Sequence, residues 1–95
     1  MILKNLHTEN KPVQTQLLFE PKDAKVISLQ IAKGETLKEH VSKIPALLVC
    51  ITGNAVFTHD KGTVVNLNSG TYVMIEENVK HAVKAIEESN FLLMK

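Results

Sequence analysis

The 95-residue sequence has a single cysteine, Cys50, so no internal disulfide can form, and a reducing compartment is the expectation. It has no apolar run near the ~18 residues that a membrane helix needs. Its first residues, Met1 to His7, are too few and too polar for a signal peptide. A soluble, cytoplasmic chain is therefore expected. No one sign of charge dominates: 11 basic residues face 10 acidic ones, for a net +1 with histidine neutral. Lys33, Lys38 and Lys43 are separated by apolar or acidic neighbours. Tryptophan is absent, and Tyr72 and three phenylalanines are the only six-membered aromatic rings. The chain thus has neither the basic stripe nor the stacking platform of a nucleic-acid binder, and no anionic-membrane surface. Internal repeats and low-complexity stretches are missing too.

What is present is the composition of an ordinary folded domain, 44% hydrophobic and 22% charged, with length for one hydrophobic core. Asn10-Lys11-Pro12 reads as the end of a loose leader over residues 1–12, leaving residues 13–95 as the folded domain.

The apolar pattern repeatedly has a period of two. Ile27, Leu29 and Ile31 alternate with Ser28, Gln30 and Ala32, as in a half-buried strand. Ala55, Phe57 and His59 alternate in the same way. Leu47 to Ile51 is continuously apolar, the pattern of a strand buried on both faces. Further runs cover 64–67, 72–75, 82–86 and 91–94. Turn signals separate them, among them Lys33-Gly34-Glu35, Thr52-Gly53-Asn54, Asp60-Lys61-Gly62, Asn68-Ser69-Gly70 and Glu76-Glu77-Asn78. Eight or nine short strands spaced this way predict an all-β sandwich or barrel. A helix over 35–43 is disfavoured because the segment runs into Pro45. Met74 and Met94 read as core filler, and His7 as solvated.

Two segments carry a resemblance. From Gly34 the chain runs through His40, Ser42 and Ala46 to Gly53. From Gly70 it runs through Glu76 and Asn78 to His81 and Ala85. The first resembles the cupin motif of Gly, His-x-His, Glu and Gly; Gly34, His40 and Gly53 fall at the family spacing. The second resembles the motif of Gly, Pro-x-Gly, His and Asn, with Gly70 and His81 matching. Asn78 stands where glycine is usual and can take the same positive φ. The resemblance implies a double-stranded β-helix, or jelly-roll, barrel.

In that family the motif histidines and the glutamate converge on one divalent metal. This sequence keeps His40 and His81 as candidate ligands, but Ser42 replaces the second histidine and Ala46 the glutamate. Strand alternation puts Cys50 and His59 on inward faces, so the candidate pocket is His40, Ser42, Cys50, His59 and His81. Taken alone, Cys50 reads as a small buried hydrophobe, and His59, beside a turn, as exposed.

The favoured function is small-molecule binding in the barrel interior without a complete metal site and with no cofactor. One alternative is a metal-dependent enzyme of dioxygenase or isomerase type, using zinc, iron, manganese or nickel on a non-standard ligand set. Another is a sensory or interaction module. The doubly apolar strand at 47–51 and the small cupins that the chain resembles both imply a homodimer.

Overall fold

The strands form where β-branched and aliphatic residues alternate, and they end where Gly, Asn or Asp permits a reversal. The computed structural model describes residues 1–95, with the side chains of Glu39 and His40 outside the description. A 3-10 turn at Leu3–Leu6 precedes nine strands: β1 (Val13–Phe19), β2 (Val26–Ile31), β3 (Thr36–His40), β4 (Ala46–Thr52), β5 (Asn54–His59), β6 (Val64–Asn68), β7 (Tyr72–Ile75), β8 (His81–Ala85) and β9 (Ser89–Met94). Residues 36–40 are extended, not helical.

Two antiparallel sheets face each other. Sheet A has the order β1-β2-β9-β4-β7 and sheet B the order β3-β8-β5-β6. Their inner faces interdigitate to make the core. Sheet A supplies Leu29, Ile31, Leu48, Cys50, Ile75 and Phe91, and sheet B supplies Ala55, Phe57, Leu67, Val83 and Ala85. Each of these is at most 4% exposed.

The chain crosses from sheet A to sheet B at Gly53, the single residue between β4 and β5. Its φ of +115° suits glycine, and an added Cβ would collide with Ser89 Oγ and lie 2.6 Å from Ser89 Cα. Ser89 begins β9 as the chain crosses back. Its hydroxyl accepts from the Asn54 N–H at 3.1 Å and lies 2.8 Å from the Glu87 carbonyl. Two crossings are thus pinned together at one end of the barrel. At the other end Asn78 has a φ of 61°, the left-handed turn expected of it in place of glycine.

Three expectations are corrected. Strand β4 is buried on one face only: Ala46, Leu48 and Cys50 are buried, while Leu47, Val49 and Ile51 are half-buried. No second layer of the chain covers all of that outer face. Met74 is not core filler but 61% exposed. It pairs with Leu47 on the outer face of sheet A. His7 is not solvated: its Nε2 lies 2.8 Å from the hydroxyl of Ser28, which is fully buried.

Ser28 belongs to a polar set that the sequence pattern did not reveal. Gln14 donates to Gln30, Gln30 to Asn90 and Asn90 to Thr52, at 3.3, 3.0 and 3.1 Å. This chain of amides crosses four strands on the outer face of sheet A. Gln30 and Asn90 are 8% and 3% exposed. A buried amide is tolerable when its donors and acceptors are paired. Among the described residues no buried side-chain polar atom lacks a partner.

Candidate functional site

The open end of the barrel is built by three connections: residues 41–45 after β3, 60–63 after β5 and 76–80 before β8. Backbone bonds tie them together. Asn78 donates its N–H to the Ser42 carbonyl at 2.8 Å, and Asp60 donates to Lys80 at 3.1 Å. Lys61 Nζ bonds Glu76 Oε2 at 2.9 Å, and this cation, by hydrogen bond and charge, holds the Glu76 carboxyl below its ordinary range.

At this end the ladder aligns three histidines. His40 of β3 stands opposite His81 of β8, and His81 stands opposite His59 of β5. Directly opposed residues share a face of the sheet, which sets the described pair, His59 and His81, on the inner side above Phe57. The Phe57 ring stacks against His81 at 5.9 Å and meets His59 edge-on at 6.0 Å. His81 is 3% exposed and His59 half-buried. The side chain of His40 lies outside the described residues.

The two described imidazoles have opposite proton positions. His81 Nδ1 lies 3.2 Å from the Val79 carbonyl. A carbonyl only accepts, so Nδ1 carries a proton. His59 Nδ1 accepts the Lys61 N–H at 3.0 Å. The neutral ring of His59 therefore carries its proton on Nε2. The two rings thus use Nδ1 in opposite senses, His81 towards a carbonyl and His59 towards an N–H.

The remaining candidates are placed differently. Ser42 Oγ donates to the Ile44 carbonyl at 2.7 Å, closing a turn within its own loop. Ala46, at the position of the family glutamate, is buried beside His81. A cavity of about 20 Å³ lies there, lined by Ser42, Ala46, Ile75, His81, Leu93 and Lys95. That is room for one water-sized group. Cys50 points inward but sits four residues along β4 from Ala46, about 13 Å at strand rise. Its thiol is fully buried, and burial pushes its pKa up. The structure therefore brings His81, Ser42 and Ala46 to one cavity and His59 to the same ladder rung, and leaves Cys50 deep in the core.

The described donors do not fit the family's metal. Ser42 is committed to its own turn and Ala46 has no donor. Ligation through His59 Nε2 would displace the proton that its Nδ1 bond fixes there, and a neutral buried thiol is a poor ligand. Among the described residues no three His, Cys, Asp or Glu side chains form a metal-holding group.

No protein-family model matches the sequence, and no curated protein is significantly similar to it. Solved structures are similar in fold. A cupin superfamily protein from Desulfitobacterium hafniense superposes with a TM-score of 0.86 at 18% identity, over 99% of this chain and 85% of that one. A conserved protein of unknown function from Streptococcus pyogenes gives 0.83 at 21% identity, over 99% and 82%. An RmlC-like cupin from Desulfovibrio desulfuricans gives 0.83 at 20% identity, over 98% and 90%. With two facing antiparallel sheets in jelly-roll order, and histidines on one rung at the open end, the chain is by fold a small cupin barrel.

Proposed function

We propose that this cupin barrel binds a compact, hydroxyl- or amine-bearing small molecule at its mouth, without a metal of the family type. The observation that carries the reading is the shared rung of His40, His81 and His59 at the open end, above an interior already filled. Phe57, Phe91, Leu29, Leu48, Leu67 and Val83 are each at most 1% exposed. A ligand therefore belongs above Phe57 rather than deep in the barrel. His59 Nε2–H donates a hydrogen bond, the His81 ring lines the site, and the small cavity beside Ala46 takes the leading polar atom. Small sites of this kind gain specificity from a few placed polar groups over an apolar floor.

The test is an NMR titration of the labelled protein with glycerol, lactate and catechol as probes. Expected are shifts at Val79 to His81 and His59 to Lys61 with at least one probe, lost in His81→Gln. Shifts confined to other parts of the barrel would overturn the reading, as would none with any of the three. The in-register pair of family histidines favours one second reading, a metal-dependent enzyme. Stoichiometric zinc, iron, nickel or manganese by plasma mass spectrometry, lost in His81→Gln, would establish that reading instead.

A further inference from the structure

The inner face of sheet A ends at the mouth in a row of four residues. Lys25 and Lys95 exchange N–H to carbonyl bonds of 2.7 and 3.1 Å, which carries the β2–β9 ladder one step past Val26 and Met94. Directly opposed residues share a face. On β9 that face is the one of Phe91 and Leu93, and on β2 the one of Leu29 and Ile31, all packed in or against the core. One step past Leu47 and Met94, Lys95 also comes level with Ala46, and Ala46 stands opposite Ile75. The inner row is therefore Lys25, Lys95, Ala46 and Ile75. Its last three members line the cavity of about 20 Å³ together with His81, which belongs to sheet B.

This row sets two cations side by side and holds no acidic side chain. Like charges directly opposed on a ladder repel each other. Among the described residues the ion pairs are Lys11–Glu9, Lys33–Glu87 and Lys61–Glu76, so neither Lys25 nor Lys95 belongs to one. Glu20 and Asp23 line a hollow with both lysines but stay beyond ion-pair distance. Ala46, the next residue of the row, adds only a methyl group.

We propose that the ligand of the mouth is a compact carboxylate and that Lys95, backed by Lys25, selects it; the inference rests on the reading that the mouth binds a small molecule. The carboxylate lies over Ala46, with one oxygen in the cavity and the other toward the lysines. The cavity has room for one water-sized group, which suits a single oxygen. A carboxylate only accepts hydrogen bonds and an ammonium only donates them, so the two match without an unpaired donor. Such charge-assisted bonds are shorter and stronger than neutral ones. The apolar walls of Ile75 and Leu93 keep the attraction at Ala46 from being fully screened. The ligand's charge also relieves the repulsion between two ammonium groups that the ladder holds together.

NMR titration of the full labelled chain with lactate and with lactamide, its neutral counterpart, tests this. Lactate is expected to shift Ala46, His81 and Lys95 and to bind at least about tenfold tighter than lactamide, the worth of one charge-assisted hydrogen bond. Lys95→Gln is expected to remove that preference and Lys25→Gln to reduce it. Both lysines are exposed, so circular dichroism is expected to stay unchanged. Lys4→Gln, on the N-terminal turn, is expected to leave the preference as it is. Lactamide shifting the same residues at equal affinity would overturn the carboxylate assignment and leave a mouth for neutral ligands standing. Lactate shifts confined to other lysines, or a preference that survives Lys95→Gln, would overturn it as well. No shift at the mouth with lactate, glycerol or catechol would overturn this inference and the mouth reading together.

Discussion

His59 and His81 oppose each other in the β5–β8 ladder, and both imidazoles pack on the ring of Phe57. Phe57 is thus both the floor of the mouth and a fully buried piece of core. Phe57→Ala is expected to cost about 3–5 kcal/mol of unfolding free energy, from lost transfer energy and the cavity left behind. Urea denaturation measures it. A loss under about 1 kcal/mol would mean that the ring is not packed as described.

Gly53 is expected to be the least replaceable glycine. Gly53→Ala meets both a positive φ and a Cβ position 2.7 Å from the Glu88 carbonyl. The crossing between sheets must shift to admit it, at a cost of about 2 kcal/mol or more. Gly62→Ala is the comparison: it has a φ of +84° but open space around the added methyl, and about 1 kcal/mol is expected from the left-handed backbone alone. Thermal unfolding of the two variants checks the order. Equal losses would refute the close approach of Ser89 to Gly53.

The Cys50 thiol is expected to be unreactive in the folded protein. It is fully buried, and its pKa is raised by desolvation, so little thiolate forms near neutrality. Labelling with an aromatic disulfide reagent is expected to follow unfolding and to accelerate with added urea. Complete labelling within seconds in native buffer would contradict this placement.

Burial holds the His7 pKa below its ordinary 6.5. Between that lowered value and 6.5 the unfolded chain binds more protons than the fold does. Stability is therefore level above 6.5 and declines as pH falls through the window. The imidazole resonances of His7 should report a midpoint below 6.5, and residues 3–7 should lose amide protection over the same range. A midpoint at or above 6.5 would remove His7 from its place against Ser28.

The strands were legible because burial on one face imposes the alternation seen in Ile27-Leu29-Ile31 and Ala55-Phe57. The turns were legible because Gly53 and Asn78 sit where the backbone takes positive φ. The resemblance around Gly34, His40, Gly70 and His81 pointed to the jelly roll.

What stayed hidden depended on tertiary cover. Ser28, Gln30 and Asn90 alternate with apolar residues as exposed polar groups do, yet they are buried. Nothing in Met1 to His7, read alone, shows that the segment folds back over them. Met74 carries the chemistry of a core residue, and only its pairing with Leu47 puts it outside. At the mouth the residue types were readable, whereas the rung shared by His59, His81 and His40 was not. It depends on a register shift in β3 between Leu37 and His40 that the sequence does not signal.

The order of sheet A also bears on how a ribosome delivers this protein. Strand β9, last to be made among the nine, is the one that sits between β2 and β4. Until residues 89–94 leave the exit tunnel, those two earlier strands have bare edges and no ladder joins them. Such edges invite wrong pairing, and contacts this distant along the chain form slowly. The nascent chain therefore carries an aggregation-prone interval from the emergence of β2 until β9 is made. That interval ends when a single six-residue strand slots into the gap.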